Sequence, residues 1–156
     1  MGGYPRTIEA ESGKITFAND GDVLQSGGLG PCIAIGIYDY QKKCGHMMHE
    51  ANWHVDANLD ERIEEILKQV GDKKKLEIYV LGNSRDTDDD NEMQEFVLEN
   101  RKYVRCILLK IFQKKQIKFN WLTDDTVGDL ILDTGTGKFE VVTSSFKEKD
   151  NEHFMD

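Results

Sequence analysis

The feature that most constrains the fold of this chain is a pair of short β-type segments joined by a turn. In Cys32–Tyr38, isoleucines occupy every second position from Ile33 to Ile37, and the smaller residues Cys, Ala and Gly occupy the positions between them. This period of two is typical of a β-strand whose two faces carry different side chains. The turn Asp39–Lys43 separates this segment from Cys44–His49, which predicts an antiparallel β-hairpin.

The rest of the chain carries helical and β patterns without an internal repeat. Apolar residues at helical spacing predict one helix over Leu59–Val70 and a second from about Glu92 to Lys114. Further strands are predicted at Lys14–Phe17, Val23–Gln25, Leu76–Leu81, Lys118–Leu122, Leu130–Leu132 and Phe139–Val142. A glycine-rich bend, Ser26–Pro31, precedes the hairpin. Two helices and about seven strands predict an α+β domain with a mostly antiparallel β-sheet or sandwich core and both helices packed on one face.

Length and charge narrow the class of protein. The 156 residues predict a single domain over residues 1–144, followed by an acidic tail, 145–156, that we expect to be disordered. The net charge of −9 disfavours nucleic acid and anionic lipid as partners, and the Lys73–Lys75 run is interpreted as a solvated turn. No apolar run approaches the ~20 residues that span a bilayer, so no membrane insertion is expected. The predicted location is the cytoplasm, either a bacterial cytosol or a host cytosol after injection.

The three cysteines indicate free thiols. Cys32, Cys44 and Cys106 cannot all pair within one chain, and no Cys-x-x-Cys motif occurs, so reduced thiols in a cytosol fit best. On a strand, Cys44 and His46 share a face whereas His49 points to the other, so no metal site is expected, and no cofactor is predicted. Cys44 and Cys106 are interpreted as structural, with Cys106 on the apolar side of the second helix.

Cys32 lies where the glycine-rich bend ends and a strand begins. A nucleophile at such a bend is exposed, and neighbouring backbone N–H groups can stabilise a developing oxyanion. Pairing about the turn places position 32 opposite roughly position 49 or 50, so His49 is expected close to Cys32. A cysteine within hydrogen-bonding range of a histidine can form a thiolate–imidazolium pair, the activated nucleophile of cysteine acyl chemistry.

The bend and hairpin together resemble the signature of the CheD family, the chemoreceptor glutamine deamidases. The resemblance is carried by Ser26-Gly-Gly-Leu-Gly-Pro-Cys32 with the strand after it, and by Lys43-Cys-Gly-His-Met-Met-His49, which places the histidine seventeen residues after the cysteine as in the family. It continues more faintly through Leu76–Gly82 and Asn100–Lys118, and covers roughly residues 8–143. The same hairpin is also similar to the catalytic domains of cytotoxic-necrotizing-factor-type deamidase toxins.

This resemblance implies a CheD-like catalytic domain that acts as a protein-glutamine deamidase, a hydrolase that converts a glutamine side-chain carboxamide to glutamate and ammonia. In the implied site Cys32 is the nucleophile and His49 is the acid–base group. Ser26 stands six residues before the cysteine, where the family has threonine, and is implied to orient the histidine. The residues of the implied oxyanion loop are Gly28, Gly30 and Pro31. The last of these replaces a serine of the family, which removes one backbone N–H from the bend.

The implied substrate is a partner protein that carries a target glutamine. It is either a chemoreceptor of a chemotaxis system or a host protein, if this chain is an injected bacterial effector. The loops that would meet the substrate depart from the family pattern, above all Gly82–Asp90. Two alternatives stay open: a non-catalytic CheD-like module that binds a chemotaxis-type partner such as a phosphatase, and transglutaminase-type acyl transfer on the same dyad. A low-pKa, accessible Cys32 thiol distinguishes an enzyme from a binding module.

Overall fold

Nine β-strands and three α-helices build the part of the chain that the computed structural model describes, residues 4–146. The strands are β1 Thr7–Glu9, β2 Thr16–Ala18, β3 Val23–Leu29, β4 Ile33–Asp39, β5 Cys44–Glu50, β6 Leu76–Gly82, β7 Ile117–Trp121, β8 Thr126–Asp133 and β9 Lys138–Ser145. The helices are α1 Trp53–Asp56, α2 Leu59–Leu67 and α3 Asn91–Ile111. Two single-turn 3₁₀ helices, Lys73–Lys75 and Lys114–Gln116, lie directly before β6 and β7.

The strands form two sheets that pack against each other. The larger sheet has five strands in the order β2-β5-β4-β6-β7, and the smaller has four in the order β1-β3-β8-β9. The pairs β6–β7 and β1–β3 are parallel, and the other pairs are antiparallel. All three helices cover the outer face of the larger sheet, so the β4–β5 hairpin lies between a helical layer and the second sheet. The predicted α+β class is confirmed, with α1 as an additional short helix.

Each face of the hairpin belongs to a separate apolar core. On the face that we call the helix side, the three isoleucines of β4 pack with apolar residues of all three helices. On the opposite face, the sheet side, the hairpin packs Ala34, Tyr38 and Met47 against leucines of the second sheet that include Leu24 and Leu132. A side chain at Gly45 would place its Cβ 2.6 Å from the Leu132 side chain, so glycine at this position lets the two sheets approach closely.

Side-chain caps set the starts of the two longer helices. The Asn58 side chain accepts the N–H of Glu61 at 3.3 Å before α2, and the Asp90 carboxylate accepts the N–H of Met93 at 2.8 Å before α3. The predicted end of the first long helix at Val70 was too late, because α2 ends at Leu67.

β3 continues through much of the segment that was predicted to be a bend. Its pairing with β8 runs from Ser26 to Leu29 across a bulge, and Gly28 takes a φ of +69° at that point. Such a bulge tolerates glycines inside a strand because it needs an unusual backbone conformation. The bend is confined to Gly30 and Pro31. The prediction of a continuous bend over Ser26–Pro31 was therefore wrong for its first part.

Three further predictions concern the position of Cys106, the C-terminal tail and membrane-spanning helices. Cys106 is exposed, and its predicted place on the apolar side of α3 was wrong, because the buried stripe runs through Val104, Ile107 and Leu108. The tail predicted over 145–156 lies outside the described residues, apart from its first two, of which Ser145 ends β9. Within residues 4–146, no helix is long and apolar enough to cross a membrane.

Candidate functional site

Cys32 and His49 lie on the same side of the hairpin. In the β4–β5 register Ile33 pairs with Glu50 and Ala34 pairs with His49, so position 32 comes opposite Ala51. The prediction that position 32 lies opposite position 49 or 50 was therefore off by one or two positions. Cys32 packs with the sheet-side core, as Ala34 does, and His49 is diagonal to the cysteine across the ladder. Diagonal neighbours have Cα atoms about 7–8 Å apart, which brings their side chains within reach of each other.

The main chain around Cys32 is held by the corner that follows β6. The carbonyl of Cys32 accepts the N–H of Asn83 at 2.9 Å, and the carbonyl of Gly30 accepts the N–H of Ser84 at 2.8 Å. Gly82 has a φ of +131°, and a Cβ there would lie 2.1 Å from the Cys32 carbonyl oxygen. Only glycine fits this contact, so the position of the cysteine depends on the residue at position 82.

The same corner is anchored to α3 and to the second sheet. Asn83 is fully buried with a φ of +66°, and its side chain donates to the Val97 carbonyl at 2.6 Å and accepts from Arg101 Nε at 2.6 Å. The Ser84 hydroxyl accepts the N–H of Thr126 at 3.1 Å. Sequence reasoning missed this corner because it treated the whole segment as an acidic loop. The signal available was the Gly-Asn pair directly after a strand, since both residues tolerate a positive φ.

The three residues of the predicted oxyanion loop differ in what their backbone can donate. The N–H of Gly28 already donates to the Asp129 carboxylate at 2.8 Å. Pro31 has no N–H. The N–H groups of Gly30 and Cys32 donate to no other residue among 4–146. The donors available for a developing oxyanion are therefore those of Gly30 and Cys32.

Ser26 lies on the inner face of β3 and is completely buried. Its hydroxyl has no hydrogen-bond partner within the part of the chain that the structure describes, so it does not contact His49 through a hydrogen bond. A buried hydroxyl without a partner costs about 1–3 kcal/mol of folding free energy. The unused hydrogen-bonding capacity of Ser26 therefore faces the space between the two sheets.

The electrostatics of the dyad favour uncharged partners. Burial raises the pKa of the Cys32 thiol, its own backbone N–H offsets part of the rise, and Glu50 adds to it. Burial lowers the pKa of the His49 imidazole, against the opposing influence of Glu50 and Glu9. No hydrogen bond joins the two side chains among the described residues. Both shifts favour a neutral thiol beside a neutral imidazole rather than the ion pair expected from the sequence, and a neutral imidazole is able to accept a proton.

A buried ion pair supports β5 from the helix side. Glu50 follows His49 directly, and its carboxylate accepts the N–H of Gly13 at 2.6 Å and the hydroxyl of Ser12 at 3.2 Å. An Arg62 nitrogen lies 2.8 Å from the same carboxylate, with both side chains mostly shielded from solvent. The end of the strand that carries His49 is thus tied to α2 and to the loop before β2.

Trp53 and Asn100 fix the start of β4 and the residue that follows β5. The indole N–H of Trp53 donates to the Ile33 carbonyl at 3.0 Å, next to Cys32. Asn100 accepts the backbone N–H of Trp53 at 2.8 Å and donates to the Ala51 carbonyl at 3.1 Å. The segment after His49 therefore fixes the backbone of both strands beside Cys32 and His49.

His46 lies on the helix side, away from the dyad. Its ring is buried, packs against Phe17 at a centroid distance of 5.0 Å, and has both nitrogens unpaired within residues 4–146. In the described part of the chain, no group of three or more His, Cys, Asp or Glu side chains is placed to hold a metal ion. His46 and His49 therefore occupy separate environments on opposite faces of one strand.

Comparison with known proteins adds no relative: no protein-family model matches the sequence, and no curated protein matches it. The indication of function in this chain is the geometry around Cys32 and His49. That geometry consists of a half-buried thiol and a half-buried imidazole on one face, with the cysteine backbone fixed by the corner at Gly82.

Proposed function

We propose that this protein is a cysteine-dependent protein-glutamine deamidase that uses Cys32 as its nucleophile. The observation that carries the proposal is the placement of Cys32 and His49 on the sheet side of one hairpin, with two carbonyls beside the thiol held by the corner after β6. The positive φ of both Gly82 and Asn83 adds support, because a Gly-Gly pair of the CheD pattern would suit the same backbone.

The proposed reaction starts from the uncharged dyad. His49 accepts the Cys32 proton as the sulfur attacks the carboxamide carbon of a substrate glutamine. The N–H groups of Cys32 and Gly30 stabilise the oxyanion. His49 returns the proton to the departing ammonia, which leaves a thioester. A water molecule, deprotonated by His49, then hydrolyses the thioester to glutamate and restores the thiol.

The proposed substrate is a glutamine side chain on another protein. The CheD resemblance favours a chemoreceptor met in a bacterial cytosol, and the resemblance to deamidase toxins favours a host protein met after injection. Both substrates use the same dyad.

The dyad is tested by the alkylation rate of Cys32 with iodoacetamide, followed by mass spectrometry from about pH 6 to about pH 10. A Cys106→Ser background removes the exposed thiol. We expect His49→Ala to lower the rate at neutral pH by about tenfold or more, because a general base is lost. His54→Ala, which changes an exposed histidine of α1, is the matched control and should leave the rate unchanged. Equal rates in the His49→Ala protein and its parent would contradict a functional dyad.

Turnover is tested on natural mixtures of proteins. The protein is incubated with a bacterial extract or an animal-cell extract, and peptides are searched for glutamines converted to glutamate. Conversions absent with Cys32→Ala would establish the reaction, and the extract that yields them would identify the class of target. Attachment of an added primary amine to the same glutamine would indicate transglutamination instead.

A binding module is the second candidate, and the raised pKa of the Cys32 thiol favours it. A thiol that stays protonated at neutral pH reacts slowly unless a base assists it. The same alkylation experiment separates the candidates, because a binding module needs no rate dependence on His49. In that case a search for bound partner proteins would replace the search for deamidated peptides.

A further inference from the structure

Two lysine runs that are distant in sequence meet at one end of the larger sheet. The 3₁₀ helices Lys73–Lys75 and Lys114–Gln116 lie directly before β6 and β7. Because these two strands are parallel neighbours, their starts lie at the same end of the sheet. The lysines of both runs are exposed there. We call this surface the lysine end; it also includes Lys110 and Lys118.

The lysine end is an ordered surface rather than a pair of loose turns. The Gln116 side chain donates to the Lys73 carbonyl at 2.9 Å and to the Leu76 carbonyl at 3.0 Å. These two hydrogen bonds join the first 3₁₀ helix to the second. The Lys73–Lys75 run is exposed, as its interpretation as a solvated turn predicts, and it is in addition joined to the other lysine run.

Grooves with partly apolar walls lie on both sides of Gln116. One, of about 560 Å³, combines four lysines with the ring of Tyr40 and the side chain of Ile117. The other, of about 340 Å³, combines Lys73, Lys74 and Lys110 with Ile111 and Phe112. Each groove therefore offers apolar contact area surrounded by positive charge.

Two lysines at this end lie over aromatic rings rather than in ion pairs with carboxylates of the described residues, with Lys73 over Phe112 and Lys118 over Tyr79. None of the lysines at the lysine end forms an ion pair with a carboxylate of residues 4–146. Glu77 also lines the larger groove and its carboxylate accepts the hydroxyl of Tyr40, so this groove holds one negative charge beside four lysines. The clustering is notable in a chain of net charge −9, since the remainder of the molecule is strongly acidic.

We propose that the lysine end is a docking surface for an acidic segment of a partner protein, with apolar side chains of that segment seated in the two grooves. Charge complementarity selects acidic residues, and the apolar walls select a polypeptide over a purely ionic ligand. The net charge of −9 repels extended polyanions such as nucleic acid and anionic membranes. Leu76 starts and Gly82 ends β6, so the lysine end lies about 20 Å from Cys32 and leaves that site free.

The surface is tested with a fluorescein-labelled peptide made of two Glu-Leu-Glu-Asp-Phe-Glu repeats, by fluorescence anisotropy on the full chain. We expect saturable binding that weakens as salt rises from about 50 to about 200 mM. The double variant Lys74→Glu/Lys115→Glu should weaken binding by about tenfold or more. The double variant Lys68→Glu/Lys102→Glu makes the same charge change at exposed lysines elsewhere, and should weaken binding by less than about threefold. Replacing the Leu and Phe of the peptide by Ser should also weaken it.

Several results would overturn the proposal. The first is the absence of peptide binding up to about 1 mM, which is weaker than ordinary recognition. The second is equal binding by both double variants. Lysine-dependent binding of oligothymidylate or of phosphatidylserine vesicles in preference to the peptide would assign the surface to nucleic acid or to membrane. Self-association that is lost in Lys74→Glu/Lys115→Glu, measured by sedimentation, would assign it to a second copy of this chain.

Discussion

The two sides of the β4–β5 hairpin are built in opposite ways. The helix side carries the isoleucines of β4 and the buried carboxylates of Asp39 and Glu50. Asp39 accepts backbone N–H groups, and Glu50 accepts two hydrogen bonds and pairs with Arg62. The sheet side carries residues of mixed size, from Ala34 to Tyr38, together with Cys32 and His49, and the hydroxyl of Ser26, unpaired among the described residues, lies across the gap. The helix side satisfies its carboxylates but leaves the ring nitrogens of His46 unpaired within residues 4–146, whereas the sheet side places the Cys32 thiol near the His49 imidazole.

This difference indicates a division of roles within one hairpin. The isoleucines and the hydrogen-bonded carboxylates of the helix side stabilise the backbone that holds Cys32 and His49 on the opposite side. The comparison predicts that helix-side changes chiefly alter folding, and that sheet-side changes chiefly alter chemistry.

The largest expected effect is at the helix-side ion pair. We expect Glu50→Ala to lower the free energy of unfolding by about 3–5 kcal/mol, because Arg62 would be left as a shielded charge without its partner. Urea denaturation measures the loss, and Glu64→Ala, an exposed glutamate of α2, is the control with an expected change below about 0.5 kcal/mol. A loss under about 1 kcal/mol in Glu50→Ala would show that the ion pair with Arg62 contributes little to the stability of the helix side.

A somewhat smaller effect is expected at the corner that holds Cys32. We expect Gly82→Ala to destabilise the protein by about 2–4 kcal/mol, because its Cβ would collide with the Cys32 carbonyl in a backbone conformation that alanine disfavours. Gly30→Ala is the matched control on the other side of the cysteine, where a Cβ has no neighbour within 4 Å. Thermal unfolding of both variants compares the sites, and similar losses would remove the special role of position 82.

The loss of folding stability in acid allows His46 on the helix side to be compared with His49 on the sheet side. Burial lowers the pKa of both His46 and His49, so the unfolded chain takes up protons first as pH falls below about 6.5. Stability is therefore full above that pH and is lost on acidification, by at most about 1.4 kcal/mol per pH unit for each histidine. Unfolding measured from pH 7 to pH 5 should show a shallower loss in His46→Asn than in the wild type. An unchanged slope would mean that the buried ring does not resist protonation.

The smallest change in stability is expected at Ser26, where an effect on folding can be separated most clearly from an effect on activity. We expect Ser26→Ala to leave the free energy of unfolding unchanged or to raise it by about 1 kcal/mol, because a buried hydroxyl without a partner is removed. If this hydroxyl orients His49 during the reaction, deamidation should fall in Ser26→Ala and be kept in Ser26→Thr. Lost stability together with full activity would place Ser26 in the structural core alone.

The sequence predicted the hairpin and its two faces well, because both depend on local information. Alternation within β4 and a short turn define the pair of strands, whatever packs against them. The register was predicted less well, since the turn Asp39–Lys43 allowed more than one pairing and the structure selects Ile33 opposite Glu50. The left-handed φ of Lys43 shows how the backbone of that turn contributes to the choice.

The sequence alone determined the fold class, the two longer helices and the presence of Cys32 and His49 on one hairpin, because period and short spacing are properties of neighbouring residues. Only the tertiary structure decided that Asn83 and Ser84 bind the cysteine segment, that Glu50 meets Arg62, and that two lysine runs converge at the starts of β6 and β7. Each of these contacts joins residues from separate elements. Their formation depends on how the sheets and helices pack, which no local pattern specifies.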